Sequence, residues 1–197
     1  MKYYTEITFI MRDDFSFYQL WTKVYTQLHL ALVEIKNQDN TVNIGISFPE
    51  YKFNEEREIG FLGTKIRLFA HNEESLQNLE IKTWLDRLSD YIHISSIRPV
   101  PEDKILSYAS FQRKQVKTNA ERLARHRVKT KNDISLDDAI KLYQKRITKT
   151  DLPFIQMKSL TSDKHFKLFI EKKVAPKSSE FKFTAYGLSS KSTVPEF

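Results

Sequence analysis

The sequence predicts an α+β protein in two parts, a β-α-β-β-α-β unit over residues 1–97 and an α/β part over residues 98–197 that carries a basic helix. Three observations lead there. Apolar residues switch between period 2 and period 3.6 in that order along the first half. The stretch "RPVP" (98–101) punctuates the chain. Charge changes sign at the same place. Residues 1–97 carry 10 Lys/Arg and 14 Asp/Glu, a net of −4, whereas residues 98–197 carry 22 and 11, a net of +11.

The elements of the first half follow in order. "KYYTEITFIM" (2–11) alternates and reads as a strand. Asp13, Asp14 and Ser16 offer cap chemistry, and residues 15–36 then follow helical periodicity. Phe17, Leu20, Trp21, Val24, Leu28, Ala31, Leu32 and Ile35 form its core-facing stripe. "TVNIGISF" (41–48) is a strand, residues 51–63 a polar loop ending at Gly63, and "TKIRLFA" (64–70) another strand. Residues 72–91 are expected as one helix capped by Asn72, and "YIHISSI" (91–97) as a closing strand. This order is that of the ferredoxin-like unit. In the second half, residues 104–114 are strand-like, a basic helix spans roughly 118–130, and a second helix spans 135–147. Pro153 ends that region, and "LPFIQMKS", "KHFKLFIEKK" and "FKFTAYGLS" read as three strands.

Composition excludes several classes. With 40% hydrophobic residues, 13% aromatic residues and 197 positions, the chain can bury a core. It has no cysteine, which removes disulfides and cysteine-ligated zinc or iron–sulfur sites. The start "MKYYTEITFI" is too polar for a signal peptide, and no apolar run approaches the ~20 residues that cross a bilayer. A soluble cytoplasmic protein without membrane contact is expected. No pair of His or carboxylates has metal-ligand spacing and no Gly-rich phosphate loop occurs, so neither a metal nor a cofactor is expected.

The positive charge is concentrated. Residues 104–131 hold nine Lys/Arg against a single acid, Glu121. Such segregation is the footprint of a polyanion-binding surface, weighed against a solvated basic face. Thr118 and Glu121 match a capping box. From there Arg122, Arg125, His126 and Lys129 share one helical face, with Ala120, Leu123 and Ala124 opposite and Arg127 between. That pattern lets a helix rest on protein while lying along phosphates. Arg113 and Gln115 alternate just before it, and Arg suits the O6/N7 edge of guanine, Gln a neighbouring base edge. His29, inside the apolar run "VYTQLHLALVEI", is either a core histidine bonded to backbone or a reactive group.

Taken together, "LHLALV" (28–33), "IGISFP" (44–49), Arg113-x-Gln115 followed by "KTNAERL" (117–123), "DLPF" (151–154), "KHFKLFI" (164–170) and "YGLS" (186–189) before the terminal Phe197 carry a resemblance. The chain resembles, nearly end to end, the CRISPR-associated endoribonucleases of subtype I-F (the Ypest subtype), which process precursor CRISPR RNA. The resemblance implies binding of the CRISPR repeat hairpin and one metal-independent cut at the 3′ foot of its stem. It implies retention of the product and assembly with other proteins of a type I-F crRNA-guided surveillance complex. By position, His29, Ser159 and Tyr186 would be catalytic. Arg113 and Gln115 would read the guanine beside the cut, and Phe166 would stack on it. Arg122, Arg125, His126 and Lys129 would line the groove, although Ala124 and His126 interrupt the arginine run that family members can carry there. Thr161 and Ser162 add hydroxyls beside Ser159.

The chemistry that this implies is attack of the RNA's own 2′-hydroxyl on the adjacent phosphate, leaving a 2′,3′-cyclic phosphate. A His with an unperturbed pKa of ~6.5 suits the proton transfer. Ser159 would hold the ribose 2′-oxygen, and Tyr186 would orient His29 or the phosphate. The competing readings are a non-catalytic RNA-hairpin-binding structural module and a DNA-binding regulator.

Overall fold

The computed structural model describes residues 1–14, 16–54, 56, 59–116, 120–131, 133–144, 150–159 and 162–197, with the backbone but not the side chain of Arg122. The chain is a mixed α/β protein. Its residues divide into two compact units, Met1–Arg113 together with Leu152–Phe197, and Lys114–Asp151.

In the first unit, β1 (Tyr3–Phe9) leads into α1 (Phe17–Glu34). Ser16 caps α1 by accepting from the Gln19 N–H, while the Gln19 side chain accepts from the Ser16 N–H. This reciprocal pairing starts the helix where the sequence offered a cap. Leu20, Trp21, Val24, Leu28, Ala31 and Leu32 are buried, as the periodicity predicts. Tyr25 is buried too, with 0% exposure, although the stripe does not include it. The 41–48 run is divided into β2 (Thr41–Val42) and β3 (Gly45–Ser47). β6 (Lys65–Ala70) and β7 (Ile92–Ile94) complete the expected strands.

The sheet order is β3-β6-β1-β7, with β8 (Arg98–Pro99) pairing with β1 beside it. The β6–β1, β1–β7 and β3–β6 pairs are antiparallel. β1 and β3 therefore run parallel with β6 between them, and β6 and β7 run parallel with β1 between them. The "RPVP" stretch thus stays on this sheet, with Tyr3 opposite Pro99 and Tyr4 opposite Arg98.

Three further local expectations differ from the structure. Residues 51–63 contain a short hairpin, β4 (Lys52–Asn54) paired with β5 (Ile59–Phe61), rather than loop alone. Neither strand has a fully buried position, so no inside/outside alternation marks it in sequence. The single helix expected over 72–91 is instead α2 (Glu73–Gln77), α3 (Ile81–Trp84) and a 3₁₀ turn (Asp86–Tyr91). Asn72 does cap α2, accepting from the Ser75 N–H at 2.9 Å. The break is at Glu80, whose φ is 47°. Leu79 and Ile81 are both buried, and in one continuous helix positions two apart point about 200° apart. The break lets both face the core. The third difference is at the C-terminus, where only Phe183–Thr184 (β12) of the "FKFTAYGLS" run is extended, paired with β2. A further strand, β13 (Val194–Glu196), pairs with β9 (Ser107–Lys114). Its Pro195 hides it from a sequence reading, yet β13 is an edge strand, where proline is tolerated.

The second sheet runs β10-β11-β9-β13, with β10 (Phe154–Lys158) and β11 (His165–Val174) forming an antiparallel hairpin. Its inward residues Ala109, Phe111, Ile155, Met157, Leu168 and Ile170 join one buried cluster with those of α1, β1, β3 and β6.

The second unit contains α4 (Ala120–Lys131) and α5 (Leu136–Gln144). Ala120, Ala124 and Ala139 are buried, and small residues there let backbones approach closely. Ser135 starts α5, accepting from the Asp138 N–H at 3.1 Å. Arg127 forks onto Asp133 at 3.2 and 2.7 Å. No helix among the described residues is long and apolar enough to cross a membrane.

Candidate active site

The site grows from the middle of α1. Capping and the apolar stripe fix the rotation of this helix, and His29 falls at the stripe's border, half-buried. Its Nδ1 lies 2.8 Å from the carbonyl oxygen of Ala185. A carbonyl oxygen carries no proton, so Nδ1 must donate. In the neutral ring the other nitrogen, Nε2, is then an unprotonated acceptor. Burial desolvates the imidazolium and lowers the His29 pKa below the ordinary histidine value, while the hydrogen bond to Ala185 pulls the other way. In its neutral form His29 therefore has one defined tautomer, with the proton on Nδ1.

Tyr186 stacks flat on the imidazole, with ring centroids 4.2 Å apart and planes 5° from parallel. The guanidinium carbon of Arg113 lies 5.9 Å from the Tyr186 centroid and 5.2 Å from that of Phe166. Arg113, at the exposed end of β9, so bridges the two aromatic rings. His29, Tyr186, Arg113 and Phe166 are consecutive neighbours in one cluster, drawn from α1, the turn after β12, β9 and β11.

Ser159 follows β10 directly, and its N–H donates to the Lys164 carbonyl at 2.9 Å, extending the hairpin by one step. By strand alternation Ser159 lies on the same side as Met157. The Met157 sulfur lies 4.0 Å from the Thr26 hydroxyl of α1, one turn before His29. The Ser159 hydroxyl oxygen accepts from the Ser162 hydroxyl at 2.9 Å and from the Ser162 N–H at 3.3 Å. Thr161 lies outside the described residues.

The predicted groove-lining residues belong to the second unit. Arg125, His126 and Lys129 are exposed on α4. Arg125 pairs with Glu121 at 3.0 Å, an exposed i,i+4 pair worth well under ~1 kcal/mol, which a phosphate can displace. The side chain of Arg122 and all of Thr118 lie outside the described residues. Gln115 is exposed just after β9. Among the described residues, no group of three His, Cys, Asp or Glu could hold a metal ion.

A sequence reading misses the Ala185 carbonyl, because backbone acceptors carry no residue-type signal. The sequence does place the Ser162 hydroxyl beside Ser159, and the two are bonded at 2.9 Å. Gly187 is the conformational key to the turn. Its φ is +68°, and a Cβ there would sit 2.4 Å from Ile46 Cδ1 and Cγ1. Gly187→Ala should cost about 2–4 kcal/mol from left-handed strain plus overpacking. Denaturant unfolding checks this, and a change below the measurement error would show that the turn relaxes freely.

The chain matches the family model of CRISPR-associated protein (Cas_Csy4) over residues 4–197. It is 36% identical over 199 residues to a CRISPR-associated endonuclease Cas6/Csy4 of Escherichia coli (strain UTI89 / UPEC), covering 100% of both chains. It is 32% identical, again across 100% of both chains, to a CRISPR-associated endonuclease Cas6/Csy4 of Pseudomonas aeruginosa (strain UCBPP-PA14). A solved RAMP protein binding different RNA substrates aligns over 100% of both chains at 11% identity and a TM-score of 0.35, too distant to bear on fold or function.

Proposed function

This chain belongs to the CRISPR-associated Csy4 family, and on that premise we propose that it is an endoribonuclease of precursor CRISPR RNA. It binds the repeat hairpin and cuts at the 3′ foot of the stem without metal, through the 2′-hydroxyl, and keeps its product within a type I-F surveillance complex. Residues 1–97 supply a ferredoxin-like half and residues 98–197 the RNA-binding half. This is a functional division, since the two halves share one buried core. The cytoplasm is its place of action. The observation that carries the reading is His29, a desolvated imidazole whose Nδ1 donates to Ala185 and whose Nε2 is left as a base.

In the proposed reaction Nε2 of His29 takes the proton of the 2′-hydroxyl. The oxygen attacks the adjacent phosphorus, the bond to the 5′-oxygen breaks, that oxygen leaves as a 5′-hydroxyl with a proton from solvent, and a 2′,3′-cyclic phosphate remains. Ser159 holds the ribose, and Tyr186, stacked on His29, keeps the imidazole in plane. Phe166 stacks on the guanine beside the cut, which Arg113 and Gln115 read along its edge. Arg122, Arg125, His126 and Lys129 of α4 hold phosphates. The test is incubation of the purified protein with a repeat hairpin in excess EDTA. Cleavage at one site supports the enzyme, whereas tight binding without cleavage means a structural RNA-binding module.

The lowered pKa sets the pH response. Below its folded pKa, His29 is protonated and cannot act as base. The single-turnover rate should rise about tenfold per pH unit in acid and level off before neutrality, at an apparent pKa below ~6.5. A rate still climbing above pH 7.5 would assign the base to another group. Stability follows the same sign. The unfolded chain binds this proton more readily, so the contribution of His29 is present above ~6.5 and is lost as pH falls through its folded value.

Arg113 and Lys129 differ in kind. A bidentate pair with guanine distinguishes bases, so Arg113→Ala should cost about 1–3 kcal/mol and relax the preference for guanine at one position. A phosphate contact carries no sequence, so Lys129→Ala should weaken all hairpins alike and lower the slope of log affinity against log salt by roughly 0.7–0.9. Affinity measured against salt on the guanine hairpin and on one substituted at the stem base checks both. Equal weakening of the two hairpins by Arg113→Ala would make Arg113 one more phosphate contact.

A further inference from the structure

The turn that meets His29 has an ordered backbone register. Four consecutive carbonyls each accept a hydrogen bond. Thr184 O accepts from the Gly187 N–H at 2.7 Å, and Gly187 O accepts from the Ile46 N–H at 2.9 Å. Between them, Ala185 O accepts from His29 Nδ1 at 2.8 Å and Tyr186 O accepts from the Tyr25 hydroxyl at 2.8 Å. The two middle donors are side chains of α1 four residues apart, one helical turn, and they hold adjacent carbonyls.

We infer that Tyr25 is a positioning residue for His29, its hydroxyl fixing the turn that sets the tautomer and plane of the imidazole. The inference rests on the reading of His29 as the base. The peptide joining Tyr186 to Gly187 is planar. Tyr25 grips its carbonyl end, and Thr184 O grips its N–H end. The neighbouring peptide is held at its carbonyl by His29 itself. The Cα of Tyr186 lies between these two planes, so its ring direction is set, and with it the 4.2 Å stack on His29. Tyr25 is itself 0% exposed within the core cluster. Its burial also raises the phenol pKa, so the hydroxyl stays protonated and remains a donor. Nothing about a tyrosine buried beside an apolar stripe requires the hydroxyl for packing, and a phenylalanine would fill the same space.

Tyr25→Phe removes only that donor. In the variant the Tyr186–Gly187 peptide keeps its Thr184 anchor but loses the hold on its carbonyl, so the acceptor and the cover of the imidazole are held less firmly. At saturating protein, single-turnover cleavage of the repeat hairpin should slow about tenfold, less than the ~10²-fold that a 1 Å misplacement at a reacting group can cost. Hairpin affinity should stay within twofold, and the apparent pKa of the rate profile should move. Nitrogen NMR of ¹⁵N-histidine-labelled protein without RNA should find His29 protonated on Nδ1 in the unaltered chain, and a mixture of tautomers in Tyr25→Phe. Replacing Tyr25 by 4-aminophenylalanine, which restores a donor at the same ring position, should restore both the rate and the single tautomer. An unchanged rate and tautomer in Tyr25→Phe would overturn the inference. So would a rate loss matched by an equal loss of affinity, or a failure of 4-aminophenylalanine to restore the site. The tautomer readout does not depend on cleavage. If His29→Ala cuts RNA normally, the catalytic reading fails while the spectra still judge Tyr25.

Discussion

His29→Ala should lower the single-turnover cleavage rate by on the order of 10²–10⁴-fold while hairpin affinity stays within a few-fold. The size follows from what is removed. The 2′-hydroxyl loses its proton poorly at neutral pH, and in the proposed reaction Nε2 of His29 is the base that takes it, left as an acceptor by the partner on Nδ1. Alanine supplies no base, and water replaces it poorly. Binding is expected to survive because the phosphate contacts are assigned to α4. The fold is expected to survive because His29 is only half-buried, on a helix whose fully buried positions are other residues. Rates at saturating protein, paired with equilibrium binding of an uncleavable hairpin, separate the two effects. A variant that cuts at the unaltered rate would return His29 to the status of a core histidine bonded to backbone.

A hairpin carrying hydrogen in place of the 2′-hydroxyl at the cut site should bind normally and not be cut. The proposed step has one nucleophile, the 2′-oxygen, and its product is a ring that includes that oxygen. Without it the phosphorus meets no attacking group held in line, and proximity is where such a reaction gains most of its rate. The substrate is otherwise unchanged, so the experiment tests the chemistry without disturbing the protein. Cleavage of the deoxy substrate would mean attack by external water, with a linear phosphate as product, and would assign His29 to a different proton.

Much of this protein is legible in its sequence where one face of an element is buried. α1 is the clearest case. Its capping residue and its apolar stripe follow from local rules, and six of the eight stripe positions are fully buried, with Phe17 and Ile35 partly so. The hairpin β4–β5 was not legible, because both strands lack a buried face. The break at Glu80 was not legible either, since nothing in "LQNLEIKTW" announces a positive φ at a glutamate. β13 was concealed by Pro195, whose place at a sheet edge depends on which strand it joins.

The site divides along the same line. By itself the sequence determined which residues are chemically able: a histidine interrupting an apolar run, an arginine and glutamine before a basic helix, and the order of motifs that marks the family. Those are properties of residue type and local spacing. Only the tertiary structure decided what His29 can do. Its acceptor, the Ala185 carbonyl, is 156 positions away, and the hydroxyl of Tyr25 holds a carbonyl 161 positions away. Which nitrogen carries the proton, which ring covers the imidazole and how far the pKa falls are set by backbone atoms and burial. Those arise only when α1 and the turn at Ala185–Gly187 have packed against each other.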